Sequence, residues 1–152
     1  SMSHPDVVQT FLDNSVALNI DLNAKDKDGN TAFHLTSQKT AFIWYNNCGY
    51  SDVIKILIEN AETFGIDLNT KNNNNWTGFQ EACQTGLTDM VKIFLENPAR
   101  LRFDFNTEGN KGWTAFHCAC YLGFSDIVKM LMKNIATLSI DISTKCYKGW
   151  TF

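Results

Sequence analysis

Hydrophobic positions recur along this chain in blocks that resemble one another. Val53-Ile54-x-Ile56-Leu57-Ile58, Met90-Val91-x-Ile93-Phe94-Leu95 and Ile127-Val128-x-Met130-Leu131-Met132 share one pattern, broken only at Lys55, Lys92 and Lys129, which are 37 residues apart. Each block predicts a helix that is apolar on nearly every side, and such a helix must be buried on nearly every side. The lysines then mark a narrow solvated ridge. Ser51-Asp52, Thr88-Asp89 and Ser125-Asp126 begin the blocks, pairing a capping hydroxyl with an acid suited to a helix N-terminus.

A second, shorter helix is expected before each block. Trp76-Thr77-Gly78-Phe79, Trp113-Thr114-Ala115-Phe116 and Trp150-Thr151-Phe152 repeat at the same spacing of 37 (114 − 77 and 151 − 114). Thr31, Thr77, Thr114 and Thr151 suit the N-cap, since a threonine oxygen accepts a first-turn N–H that otherwise has no partner. Small residues follow, as in Phe116-His117-Cys118-Ala119-Cys120, and let neighbouring helices approach. Gly49, Gly86 and Gly123 close the segment, where the left-handed conformation is tolerated.

Ahead of the threonines, Asp21-Leu22-Asn23, Asp67-Leu68-Asn69, Asp104-Phe105-Asn106 and Asp141-Ile142-Ser143 read as short strands. Polar hairpin-like turns follow them, such as Lys27-Asp28-Gly29-Asn30 and Asn110-Lys111-Gly112. An internal repeat of this length predicts an all-α repeat solenoid: stacked helix-turn-helix units with short β-hairpin-like loops and one continuous core. The organisation read from it is a single domain over residues 3–152, with a tag scar at residues 1–2. It comprises a partial repeat at 3–25, repeats at 26–71, 72–108 and 109–145, and a truncated repeat at 146–152. Asp6 to Leu12 reads as a second helix without its first, and Phe152 falls inside a new first helix, so a fragment of a longer array is expected.

The unit resembles the ankyrin repeat, with its period of about 33 and its Thr-Pro-Leu-His-x-Ala signature. Thr31-Ala32-Phe33-His34, Thr114-Ala115-Phe116-His117 and the Gly-x-Ser/Thr-Asp-x-Val/Ile starts carry the resemblance. Ala32, Gly78 and Ala115 stand where the family has proline, and Gln80 where it has histidine. Four extra residues turn a helix by about 400°, nearly a whole number of turns. The second helix, or its exit near Asn60 to Phe64, is therefore the least disruptive place for the longer period.

The first full repeat departs from the pattern. Thr31 to Gly49 spans 18 residues (49 − 31), against nine from Thr77 to Gly86 and from Thr114 to Gly123. Thr-Ala-Phe occurs at both Thr31 and Thr40, and Thr40 keeps the spacing of 37 to Thr77. Five positions after the threonine, where Ala82 and Ala119 stand, the Thr31 register offers Thr36 and the Thr40 register Tyr45. A tight contact between repeats excludes the ring, so Thr31 is the expected cap and residues 38–46 the insertion. It carries Phe42, Ile43, Trp44 and Tyr45. These either fold back on the stack as a satellite cluster or form an exposed contact patch for a partner or for self-association through residues 38–46.

Composition narrows the function. Hydrophobic content of 44% with 19% charged residues is that of a folded globular chain. A net charge of −3 gives no basic footprint, so nucleic acid is not expected as a ligand. No apolar run approaches the ~20 residues that span a bilayer, so no membrane insertion is expected. Five cysteines without a secretory signal favour free thiols and a cytoplasmic or nuclear location. Cys118 and Cys120, two apart on a helix, point about 200° apart and cannot chelate one ion together. No phosphate loop, carboxylate pair or Ser-His-Asp arrangement stands out, so no catalytic residue, metal or cofactor is expected. The resemblance implies structural hydrogen bonding for His34 and His117.

The leading expectation is therefore a protein-interaction module for a protein or peptide partner. By the resemblance, binding uses the hairpin tips and the exposed side of the first helices on the concave face. Those positions are Lys27, Asp28, Asn30, Asn73, Asn74, Trp76, Asn110, Lys111 and Trp113, with Gln84, Thr85, Tyr121 and Leu122 at the helix ends. The tryptophans read either as packing between successive hairpins or as a row of contacts. Two alternatives stand beside this: a structural spacer in a larger repeat protein, or a substrate for asparagine hydroxylation, which the resemblance maps to Asn23, Asn69 and Asn106.

Overall fold

The computed structural model describes residues 4–38, 50–96 and 103–144. In chain order the helices are α1 (His4–Ser15), α2 (Ala32–Thr36), α3 (Tyr50–Phe64), α4 (Gly78–Thr85), α5 (Thr88–Glu96), α6 (Ala115–Tyr121), α7 (Ser125–Lys133) and α8 (Ile135–Leu138), with a 3-10 turn at Asn110–Gly112 before α6. They form two parallel rows. The short first helices pack as α2 on α4 on α6, and the second helices as α1 on α3 on α5 on α7. Within each unit α2 packs on α3, α4 on α5 and α6 on α7. The expected solenoid of stacked helix pairs is the architecture found.

Capping explains why the first helices begin where they do. Thr77 and Thr114 have extended backbones, and their hydroxyls accept the N–H of Gln80 and His117. In return the Gln80 and His117 side chains accept the backbone N–H of their threonine, a reciprocal capping box. Thr31 is the N-cap of α2, and His34 Nδ1 accepts its N–H at 3.2 Å. Gly86 and Gly123 end the segments at φ +77 and +74. The Leu87 N–H reaches the Ala82 carbonyl and the Phe124 N–H the Ala119 carbonyl, which closes the turn into the second helix. That backbone turn leaves little for a side-chain cap. Contrary to expectation, the N-cap of α7 is Phe124 and no side chain caps it; Ser125 is already inside the first turn.

In two of the described units helix extends past the common apolar block. α3 runs 15 residues to Phe64, and α7 continues into α8 after a break at Asn134. Lys55, Lys92 and Lys129 are exposed as expected, Lys92 3.8 Å from Glu96 and Lys129 3.6 Å from Asp126.

The segments read as strands are turns. Among the described residues the only β pairing is an isolated bridge between Lys71 and Thr77. The carboxylates of Asp21, Asp67, Asp104 and Asp141 each accept the backbone N–H two residues on, at 2.7–2.9 Å. An aspartate that bonds its own backbone this way folds a tight turn in place of an extended strand.

The core follows the rows. Phe33, Phe79 and Phe94 join Phe103 and Phe105 in a cluster of tilted and edge-on rings with centroids 4.9–5.4 Å apart. Gly78 is required here, because a Cβ on it would lie 2.6 Å from the Phe33 ring. In the first unit α2 stops after five residues, with Ser37 as its C-cap, where α4 runs to eight. Of the segment 38–46 only Gln38 is described, so Phe42, Ile43, Trp44 and Tyr45 lie outside the described residues, as do Cys48, Gly49, Cys146 and the Trp150-Thr151-Phe152 repeat.

Candidate interaction surface

Three hairpin tips and three first helices build one continuous surface. Each tip is a tight turn with a left-handed residue, at Gly29, Asn75 and Lys111-Gly112. In the first, Asp26 accepts the N–H groups of Asp28 and Asn30 at 2.9 and 2.8 Å. These bonds to its ionised form, that from Asn30 foremost, hold its carboxyl below the usual carboxylate range.

Successive tips are tied together. Asn73 donates its backbone N–H to the Asp28 carbonyl and its side chain to that of Lys27, both at 3.0 Å. Lys25 Nζ reaches the Lys71 carbonyl at 2.9 Å, and Lys71 Nζ the Glu108 carbonyl at 2.8 Å. The Trp76 ring lies over Gly109 of the next tip, so closely that any Cβ there would collide with it. Trp76 thus packs hairpin on hairpin, the structural one of its two readings. Trp113 instead meets Tyr121 of its own unit edge-on, centroids 4.9 Å apart.

His34 and Gln80 lock the helices to these tips. Because His34 Nδ1 accepts from Thr31 N–H, its Nε2 carries the proton and donates to the Trp76 carbonyl at 3.0 Å. Burial holds its pKa below the usual imidazole value, so the ring is neutral. Gln80 repeats the bridge with different chemistry: Oε1 accepts from Thr77 N–H at 2.9 Å, and Nε2 donates to the Thr107 and Trp113 carbonyls at 2.7 and 3.1 Å. An amide has an acceptor and a donor at the same separation of roles as a neutral imidazole, which is why this departure from the signature keeps the architecture.

The expected contact residues divide. Lys27, Asp28, Asn74, Gln84, Asn110, Lys111, Tyr121 and Leu122 are exposed, Tyr121 at 61%. Asn73 is exposed with its carboxamide engaged as above, while Trp76, Thr85 and Trp113 are half-buried. The Thr85 hydroxyl is taken by the Glu81 and Ser37 carbonyls. Asn30 is a correction: it is buried, donates to Asp26 and accepts from Asn72 at 3.0 Å, so it holds two tips together and offers nothing to a partner.

Asn72, absent from the expected contact residues, is the hub of this network. It is buried, accepts the N–H groups of Asn74 and Trp76, and donates to Asn30 and, at 2.7 Å, to Glu81 Oε1. Burial raises the Glu81 pKa, partly offset by hydrogen bonds with the Asn72 and Gln38 side chains. Nothing in the sequence distinguished this carboxylate, because the same register holds Leu35 and Cys118.

The asparagines mapped for hydroxylation serve between repeats. Asn23 donates to the Gly65 carbonyl at 2.8 Å and accepts from Asp67 N–H, and Asn106 does the same with the Ser139 carbonyl and Asp141 N–H. Asn69 accepts from Asp104 N–H at 3.3 Å. Burial pushes the Cys118 thiol up to about 12 and raises those of Cys83 and Cys120, which keeps them protonated and unreactive. Among the described residues no three His, Cys, Asp or Glu side chains are grouped to hold a metal ion, and no helix is long and apolar enough to cross a membrane.

No curated protein matches the chain. Residues 40–146 match the model for ankyrin repeats, in three copies. The match starts at the second Thr-Ala-Phe, whereas the described cap of the first unit is Thr31. It covers 107 of 152 residues (146 − 40 + 1), and the helix rows, capping boxes and hairpin bridges above agree with it: the chain belongs to the ankyrin-repeat family.

Proposed function

We propose that this chain binds a protein or peptide partner on the surface formed by its hairpin tips and first helices. Ankyrin repeats are generally protein–protein interaction modules, and the family is typically non-enzymatic. The observation that carries the reading is the Trp113–Tyr121 pair. Tyr121 is 61% exposed, yet its ring is held edge-on by Trp113, with Leu122 exposed beside it. An aromatic held in place while exposed loses little side-chain entropy on binding, and Trp and Tyr dominate the energetics of interfaces. Gln84 stands at the same register one repeat earlier, seven residues after its threonine as Tyr121 is (84 − 77 and 121 − 114), which continues the surface. Lys27, Asp28, Asn74, Asn110 and Lys111 supply a polar rim at the tips.

The test is a quantitative pulldown that compares wild type with Tyr121→Ala and Lys111→Glu, using Lys92→Glu on the second-helix ridge as the control. Partners retained by wild type and by Lys92→Glu should be lost from the first two, with unchanged circular dichroism. An identical set of partners on all four proteins would sink the assignment.

A further inference from the structure

Resting on the binding role assigned to the first helices, we propose that their occupant is an uncharged, proline-rich segment of the partner in the polyproline II conformation. It lies across α4 and α6, with a carbonyl toward Gln84 and a proline ring against Tyr121. Every side chain of α4 and α6 that reaches solvent is uncharged: Gln84, Thr85, Cys120 and Tyr121. The second helices differ, exposing Asp89, Lys92 and Glu96 on α5 and Asp126, Lys129 and Lys133 on α7. At the tips, the exposed Lys25, Lys27 and Lys111 are balanced by Asp26, Asp28 and Glu108. A charged segment laid over α4 and α6 would lose water with no ion to pair it, which selects an uncharged one.

The exposure of Tyr121 belongs to its register. Gln84, at the same position one repeat earlier, is exposed although α6 packs directly on α4. Tyr121 is 61% exposed and its ring is held edge-on by Trp113, centroids 4.9 Å apart, which fixes an aromatic wall in place. Polyproline II segments dock on such walls and are already ordered before they bind. Their carbonyls have no internal partners, and the exposed carboxamide of Gln84 can donate to one.

The repeat spacing selects this conformation over the alternatives. Packed helices lie about 8–10 Å apart, which sets the distance between equivalent positions on α4 and α6. A polyproline II segment returns to the same face every three residues, about 9.3 Å along. An extended strand covers a similar length in three residues but turns its side chain to the opposite face. Among the described residues the isolated Lys71–Thr77 bridge is the only β pairing, so there is no sheet edge for a strand to join. A helix bonds its own carbonyls and needs a stripe of apolar anchors. Among the described residues no large apolar side chain is exposed between Leu35 and Tyr121.

Two-dimensional NMR of the 152-residue chain, with the Trp113 indole N–H as reporter, tests this. The probes are nonaproline, triproline and a Gly-Ser peptide as long as nonaproline, all with blocked ends. Nonaproline should shift the Trp113 signal and bind more tightly than triproline, whose single turn reaches one repeat; the Gly-Ser peptide should not bind. Tyr121→Ala should weaken both oligoprolines at least about tenfold. Gln84→Ala should weaken nonaproline alone, by about threefold, the loss of one hydrogen bond. Should Tyr121→Ala prove unfolded by circular dichroism, Tyr121→Gln, which installs the residue of the preceding repeat, is held to the same criteria. Nonaproline that leaves the Trp113 signal unmoved, or binds Tyr121→Ala or Gln84→Ala as well as wild type, overturns the proposal. So does a Gly-Ser peptide that binds as tightly. The pulldown keeps the two readings apart: partners lost from Tyr121→Ala, with no nonaproline bound, overturn only the proline-rich occupant. Partners indifferent to Tyr121→Ala overturn the binding role of the surface.

Discussion

The helices α5 and α7 carry nearly the same hydrophobic pattern and meet different fates. In α5, Met90, Val91, Ile93, Phe94 and Leu95 are all buried. In α7 only Ile127 and Leu131 are, and Met132 is half in water. The difference lies in the neighbours: α5 is held between α3 and α7, whereas among the described second helices α7 has only α5 beside it, with the short α8 at its end. An all-round apolar pattern therefore states what a repeat unit can bury. The stack decides what it does bury.

The largest expected effect follows directly. Phe94→Ala removes a fully buried ring at the centre of the aromatic cluster and should cost about 3–5 kcal/mol in urea unfolding. Met132→Ala, at the corresponding repeat end, should cost under about 1 kcal/mol. Equal costs would break the comparison.

An intermediate effect contrasts the two ways of bridging helix to hairpin. Gln80→Ala strips a cap and leaves the Thr107 and Trp113 carbonyls without their donor, so about 2 kcal/mol should be lost. Gln80→His should restore most of it, since His34 performs the same bridge one repeat earlier. A histidine variant as unstable as the alanine variant would show that the two bridges are not equivalent.

The smallest effect concerns the interface of α2 with α4. The folded pKa of Glu81 is raised above its unfolded value by burial. Its contribution is therefore fully present below the unfolded carboxyl pKa and is lost as pH rises through the folded one. Glu81→Gln, which can still accept from Asn72, should then be more stable than wild type at pH 7 and indistinguishable from it near pH 3. Thermal melts at the two pH values would expose a gain at pH 3 or a loss at pH 7.

Much of this was legible beforehand. The helix pairs, their threonine caps and their closing glycines follow from spacing, because each rests on local hydrogen bonds among residues a few positions apart. Helix rotation alone puts the extra residues of the period in the second helix or its exit near Asn60 to Phe64, and α3, which runs to Phe64, is the longest helix described. The strands failed on the same local logic, since an Asp two residues before an Asn closes on its own backbone before any ladder can form. Asn30 failed for another reason: its partners Asn72 and, through it, Glu81 lie 42 and 51 residues away (72 − 30 and 81 − 30).

The sequence by itself determined the repeat, its unit and the register of its caps, because periodic burial and capping are properties of a short stretch of chain. Only the tertiary structure decided which of the equivalent side chains are covered. Trp76 packs on a neighbour's glycine while Trp113 props an exposed tyrosine, and Leu95 is buried where Met132 is not. Equivalent positions diverge because burial depends on the repeat next door, and a side chain's own unit carries no record of what stands beside it.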